Sequence, residues 1–406
     1  MRRPIVTVFY QFDPWSKSLG GIQTVIRSFF KYAPDTFELR LVGTQVEKRV
    51  EPGIWQEMNL AGRKIHFLPL FTQPKENGKS LIPDSVRYTA ALFRRCLASD
   101  FMHFHRLEPT LATRHWTGDK TLFIHNDIQQ QIQSSTRKGS ILWQYSPSAY
   151  FAIERQVVPQ FTEILSCNTA SLAFYKERYP MCADRVQYLR NTVDDDVFFP
   201  ASATEREQAQ QAFARSLGKT EQTRFILFAG RLHAQKDPLL LIQAMTVLAD
   251  TNAHLLIAGE GDLEKPIRAE IGRLNLSDRI TMLGAQPQSE IAKLQRLASV
   301  FVLSSAYEGL PVVVLEALSS GMPIVTTHCG ETPNLLTPQS GVVCKERTAE
   351  ALAAALDRVL ASRQNFPVQA CTDVAKPFRA SVIVKDVCDR MMQRWQARQV
   401  NERLSA

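Results

Sequence analysis

The sequence predicts an α/β protein made of two doubly wound domains, each with a mainly parallel sheet. Three observations predict it. Short apolar runs rich in Val, Ile, Leu and Phe alternate with longer stretches of helical periodicity, the pattern of βαβ units. The chain has 406 residues, more than a single hydrophobic core usually organises. Glycine-rich turns follow several of the apolar runs, at the strand ends where doubly wound sheets hold ligands.

Taken in order, Ile5–Tyr10 is the first strand. The charged start before it superficially resembles a secretion signal, but Gln11 and Asp13 cut the apolar run short, so it reads as buried sheet. Gly20-Gly21 opens a helix over Ile22–Tyr32. Further strands are expected at Phe37–Gly43, Ile65–Leu70, Phe101–His105, Thr121–His125, Ile164–Asn168 and Tyr188–Asn191. Ser85–Ala98 has the spacing of an amphipathic helix with Arg87, Arg94 and Arg95 on its polar side. Residues 194–222 turn polar, beginning with Asp194-Asp195-Asp196 and Phe199-Pro200, and mark a boundary.

The second half alternates more cleanly. Strands are expected at Arg224–Ala229, His254–Ala258, Ile280–Leu283, Val300–Leu303, Ile324–Thr327 and Gly341–Val343. Helices are expected at Pro238–Asp250, Leu263–Leu274, Ser289–Leu297 and Val312–Ser320. The division is therefore an N-terminal domain over 1–195, a C-terminal domain over 196–377 and a basic helical tail over 378–406. That tail is expected to return to the N-terminal domain.

Composition narrows the function classes. No apolar run approaches the ~20 residues of a membrane-spanning helix. The seven cysteines form no C-x-x-C pair, which argues for a reducing, cytoplasmic compartment and against a zinc site or disulfide framework. Net charge is +8 and uneven, with 25 basic against 18 acidic residues over 1–195. A basic domain of this kind suits a phosphate-bearing substrate or an anionic membrane surface. Nucleic acid fits poorly, because the basic residues lack interleaved aromatics.

The chemistry concentrates in two segments. Glu308-Gly309-Leu310-Pro311 lies between a buried strand and a helix, and the helix carries Glu316. Free backbone N–H groups at such a helix start favour phosphate by hydrogen bonding and by the helix dipole. Glu316, further along the helix, is placed to accept hydrogen bonds from a ribose. The second segment, Gly230-Arg231-Leu-His-Ala-Gln-Lys236, sets two cations at a strand end, and a guanidinium fork with an ammonium point charge suits a diphosphate. Each segment also has a structural reading, as capping glutamates or as an Arg–Asp loop brace.

These two segments together resemble the retaining GT-B glycosyltransferases of family 4. That family shares a Gly-Arg-Leu-x-x-x-Lys loop and two glutamates separated by seven residues. The resemblance implies two Rossmann-like domains facing across a cleft, with no metal and no cofactor, only a nucleotide-diphosphate sugar as co-substrate. Arg231 and Lys236 would hold its diphosphate, Glu308 its sugar and Glu316 its ribose. The amides after Glu308, at Gly309 and Leu310, would meet phosphate, with Pro311 lining the donor site beside them, and the Gly284–Glu290 loop would lie near the base.

The N-terminal half supports the same resemblance. Leu19-Gly20-Gly21 matches the family loop that reaches across the cleft to the donor, and His125 with Asp127 matches a pair beside the reacting sugar. His103-Phe-His105 resembles an H-x-H-E-P segment, interrupted here by Arg106-Leu107. Asn191-Thr192-Val-Asp194 resembles the interdomain hinge, with Thr192 where glycine is usual. The implied acceptor is a saccharide or a polyprenyl-diphosphate-linked glycan in exopolysaccharide or envelope synthesis. Peripheral contact with an anionic membrane is then expected. A sugar-nucleotide epimerase and a non-catalytic nucleotide-sugar binder remain alternative readings of the same site.

Overall fold

A computed structural model describes residues 2–16, 20–73, 83–125 and 147–405, with side chains as far as Val400. Leu19 and Asp127 lie outside the described residues. The strands of the first half are β1 (Ile5–Phe9), β2 (Glu38–Gln45), β3 (Gln56–Leu60), β4 (Arg63–Thr72), β5 (Phe101–Phe104), β6 (Asp119–Ile124), β7 (Glu163–Ser166) and β8 (Val186–Tyr188). They form one sheet in the order β3-β4-β2-β1-β5-β6-β7-β8, parallel except for the β3–β4 hairpin. The helices described beside it are α1 (Gly21–Tyr32), α2 (Asp84–Phe93), α3 (Pro147–Val157) and α4 (Thr169–Arg178). Sequence pattern misses β3, whose short alternation is announced only by the positive-φ turn at Ala61-Gly62.

The second half contains α5 (Ala203–Ser216), β9 (Arg224–Ala229), α6 (Pro238–Val247), β10 (Ala253–Ala258), α7 (Glu264–Arg273), β11 (Ile280–Gly284) and α8 (Gln288–Leu297). Then come β12 (Val300–Leu303), α9 (Val312–Ser319), β13 (Ile324–Thr327), α10 (Thr332–Leu335), β14 (Gly341–Cys344), α11 (Ala349–Ala361) and α12 (Val368–Ala375). The six strands pair in the order β11-β10-β9-β12-β13-β14, all parallel. Strands such as β10 and β12 are buried along their whole length, which is why they read as unbroken apolar runs. The sheet order reverses between β9 and β12, and that switch point opens the crevice used below.

The last helix, α13 (Ala380–Ser405), leaves the C-terminal domain and packs on the N-terminal one. Its Val384, Val387, Cys388, Met391 and Trp395 complete the core formed by Val6, Val8, Ile26 and Phe101. Arg394 pairs with the buried Asp119 at 2.9 Å and with Glu163 at 3.4 Å. The expected return of the tail is therefore present, and residues 380–400 are structurally part of the N-terminal domain. The two crossings between domains run side by side: the Val193 amide donates to Phe378 O, and the Ala380 amide to Val193 O. Asp194 anchors this crossing to α1 by accepting from Lys31 Nζ at 2.7 Å and Tyr32 Oη at 2.7 Å.

One expected feature is corrected. The helix expected to reach Ala98 stops at Phe93, because the chain turns back at Arg94 and the Arg95 guanidinium donates to Gly53 O. Arg87 lies over the Phe71 ring and pairs with Asp84. The outward stripe of α2 is thus Val86, Ala90 and Phe93, not the three arginines.

Candidate active site in the interdomain cleft

The cleft is framed by two helix starts, one from each domain. Gly20 and Gly21 begin α1, with the Gly20 amide donating to Gln23 Oε1 at 2.8 Å. Opposite them, Pro311 caps α9. A Cβ on Gly21 would stand 3.8 Å from a Val312 methyl, so the two helix starts face one another across van der Waals distance. Each start presents orphan N–H groups and the positive end of its dipole to the same space.

Behind α9, the Glu308 carboxylate is buried and held twice. Lys236 Nζ donates to Glu308 Oε1 at 2.5 Å and Ser305 Oγ donates to the same oxygen at 2.7 Å. Lys236 arrives there because the β9–α6 loop is locked to the β12 end. Ser304 Oγ donates to the carbonyls of Lys236 and Asp237, and Gln235 exchanges bonds with Ala306 and Tyr307. Asp237, in the left-handed region at φ 44°, caps α6 and accepts from Arg347. Arg231, on the same loop, is exposed, and its guanidinium has no partner among the described residues.

The glycines beside this loop have a steric role. A Cβ on Gly259, whose φ is 146°, would fall on Gly230 O; one on Gly261 would come 2.6 Å from Leu232 O. The β10–α7 turn therefore lies flush against the Arg231 loop, tied to it by the Leu232 amide to Glu260 O and the Leu263 amide to Leu232 O. The Ala258–Asp262 segment is thus the backing of the cation loop.

Glu316 is buried on α9 and has, among the described residues, one side-chain partner, Gln288 Nε2 at 3.3 Å. Burial pushes its carboxyl up to about 7, the Gln288 hydrogen bond only partly opposing this. A buried carboxylate with spare acceptor capacity is suited to a pair of hydroxyls. Gln288 stands at the start of α8, inside the Gly284–Glu290 loop expected near the base.

On the N-terminal side, His125 follows β6, and its Nε2 is 2.8 Å from Nδ1 of the buried His105. The two imidazoles and Phe123 form a stack, with His105 4.6 Å from Phe123 and 5.1 Å from His125 between centroids. Burial pushes His125 down to about 4 and His105 well below its ordinary range, the neighbouring imidazoles adding to the effect at His105. Both rings are therefore neutral at neutral pH, and one donates to the other. His103 and His105 share one face, as their spacing implies, since both touch Phe123.

The structure thus brings Lys236, Glu308, Gly309, Leu310 and Pro311 into one locus, with Gly20 and Gly21 opposite Val312. Sequence reasoning does not find Ser305, Gln288 or the His105–His125 bond. Gln288 lies inside the Gly284–Glu290 loop and Ser305 just beyond the strand expected at Val300–Leu303, but nothing in residue spacing indicates which neighbour turns inward.

Comparison with known proteins follows the same outline. Residues 209–372 match the family described as glycosyl transferases group 1. An uncharacterized glycosyltransferase of Methanocaldococcus jannaschii is 31% identical over 179 residues, which is 43% of this chain and 46% of that protein. The amylovoran biosynthesis glycosyltransferase of Erwinia amylovora is 33% identical over 143 residues, 33% of this chain and 35% of that protein. The chain spans about half or less of the length of these curated relatives. The fold of sucrose-phosphate synthase from Thermosynechococcus elongatus matches 97% of this chain and 100% of its own, with TM-score 0.78 and 16% identity. Anabaena HepE in complex with UDP-glucose matches 96% of this chain and 100% of its own, at TM-score 0.68 and 15% identity. The chain has the GT-B fold, and within its C-terminal domain residues 209–372 are similar to the glycosyl transferases group 1.

Proposed function

We propose that this protein is a retaining, metal-independent glycosyltransferase that moves a hexose from a nucleotide-diphosphate sugar to a saccharide or lipid-linked acceptor. The observation that carries the reading is the facing pair of helix starts at Gly21 and Val312, beside a cation loop. Two positive dipole ends, Lys236 and Arg231, the latter unpaired among the described residues, stabilise the charge that grows on a departing diphosphate. Glu316 accepts the ribose hydroxyls, with Gln288 near the base. Glu308, fixed by Ser305, accepts from hydroxyls of the sugar while Lys236 turns toward the phosphate.

In the transfer step the anomeric C–O bond to phosphate breaks as the acceptor oxygen bonds on the same face. The acceptor proton passes to the leaving phosphate oxygen, so no protein base is required. Neutral His125, fixed by His105, orients the sugar and does not form a bond to it. Arg231, Lys236 and the two helix dipoles supply the charge stabilisation a divalent ion provides elsewhere, which supports independence from metal. An epimerase reading needs a general base, and His125, with its pKa near 4 and its ring bonded to His105, is poorly suited to that role.

The pathway reading, exopolysaccharide or envelope glycan synthesis at the inner face of the membrane, draws on the amylovoran relative. It also draws on the N-terminal domain, where the exposed Val86 and Phe93 on α2 are flanked by Arg94. No helix among the described residues is long and apolar enough to cross a membrane, so any contact there would be peripheral. Sedimentation with anionic liposomes at low salt tests this part, and no binding overturns it.

Incubation with UDP-, GDP- and ADP-hexoses tests the transferase reading. The expected result is nucleoside diphosphate released only when acceptor is added, in the presence of EDTA, with the donor's anomeric configuration kept in the product. Conversion of donor to an epimer, or tight binding without turnover, would reject it.

A further inference from the structure

Glu331 touches both domains at the back of the donor loop. Its own amide donates to Gly309 O at 3.0 Å. Its carboxylate crosses the cleft, where Oε1 accepts from the Thr169 amide at 2.7 Å and from Thr169 Oγ1 at 2.5 Å. Thr169 is the first residue of α4, so the carboxylate sits at that helix's positive end. The other oxygen, Oε2, is steered by Asn334 Nδ2 at 3.4 Å. Gly330 packs so tightly beneath that a Cβ there would collide with the carbonyls of Gly309 and Glu308.

Two further bonds grip the same peptide. Asn191 Nδ2, in the interdomain crossing, donates to Leu310 O at 2.7 Å and is buried. The Leu310 peptide lies beside the Cys167 thiol, which donates to His125 O at 3.5 Å. The peptide groups at Gly309 and Leu310 are thus held from the N-terminal domain and the crossing, and the same thiol ties them to His125.

We propose that Glu331 is a positioning residue: its bridge from Gly309 to Thr169 closes the two domains and sets the donor loop in register with His125. Its role in turnover rests on the transferase reading; its role in closure does not. A partly buried carboxylate on a helix start is modest in energy when isolated, but here it acts with the Asn191 and Cys167 contacts, so its loss shifts an equilibrium between open and closed forms.

Small-angle scattering of the full chain, without ligand and with UDP, compares wild type with Glu331→Ala, Glu331→Lys and Glu331→Gln. The Ala and Lys variants are expected to scatter as a more open particle at unchanged thermal midpoint, and the Gln variant, which keeps an acceptor oxygen for Thr169, to stay near wild type. In turnover, Glu331→Ala is expected to lose about tenfold in kcat, with nucleotide affinity altered less than about threefold and a larger share of donor lost to water. Thr169→Val, which removes only the hydroxyl donor, is expected to fall between the two. Unchanged dimensions in both Ala and Lys variants, or a lowered midpoint with no opening, overturn the proposal. Opening of the variants while wild type shows no transfer with any donor would reject the transferase reading and keep the latch.

Discussion

At the scale of single residues, Glu308 and Lys236 form one unit, because a 2.5 Å ion pair shares the Ser305 hydroxyl. Replacing either by Ala is expected to lower kcat by at least ~10²-fold, and the double variant to cost little more than the worse single one. Steady-state kinetics of the three variants checks this, and additive losses would count against a joint role. Glu316 offers a pH test. Its folded-state pKa of about 7 lies above the ordinary 4.5, so the fold binds an extra proton between those values. That contribution is fully present below pH 4.5 and is lost as pH rises through 7. Glu316→Gln is therefore expected to stabilise the ligand-free protein relative to wild type by about 2–3 kcal/mol above pH 7 and hardly at all near pH 4. The same variant should bind nucleotide more weakly, because ribose hydroxyls need the carboxylate. Urea melts at both pH values and nucleotide titrations read the two effects, and a variant no more stable than wild type at pH 8 would refute the first.

At the scale of elements, legibility followed burial. Strands β9 and β12 read to the residue from sequence because they are buried along nearly their whole length and their apolar runs have sharp polar ends. The sequence pattern extends α2 too far, since Arg94 and Arg95 continue a plausible polar face while the backbone leaves the helix and Arg95 reaches Gly53. The Arg231, Lys236, Glu308 and Glu316 set was visible in spacing and context. Its partners Ser305 and Gln288 are not, and neither are the His105–His125 bond and the Glu331 bridge, because all are defined by which elements meet in space. The β10–α7 turn shows the same division: the sequence displays Gly259 and Gly261 but not the close packing against Gly230 O and Leu232 O that requires them. Gly259→Ala would drive a Cβ into Gly230 O at a backbone conformation that L-residues rarely adopt. It is expected to destabilise the C-terminal domain by about 2–4 kcal/mol and to displace Arg231. A thermal melt with nucleotide titration checks both, and wild-type values would refute the close packing.

At the scale of the molecule, the two domains are joined twice and closed by a helix borrowed across the boundary. Trp395 lies against Phe101 and beneath the Arg2 guanidinium. Trp395→Ala is expected to cost about 3–5 kcal/mol, as for other large buried aromatics, and to make the C-terminal helix the first site of proteolysis. An unchanged urea midpoint would show that the helix is only loosely docked. The side-by-side crossings at Val193 and Arg379 carry a consequence for heredity of the fold. A gene cut between the domains would leave the first half without its last layer, exposing Val6, Val8 and Ile26, and would leave the second trailing a helix whose apolar face has nothing to cover. Shuffling of one domain onto a new partner therefore has to carry the matching C-terminal helix with the N-terminal half, as a discontinuous module exchanged in two pieces.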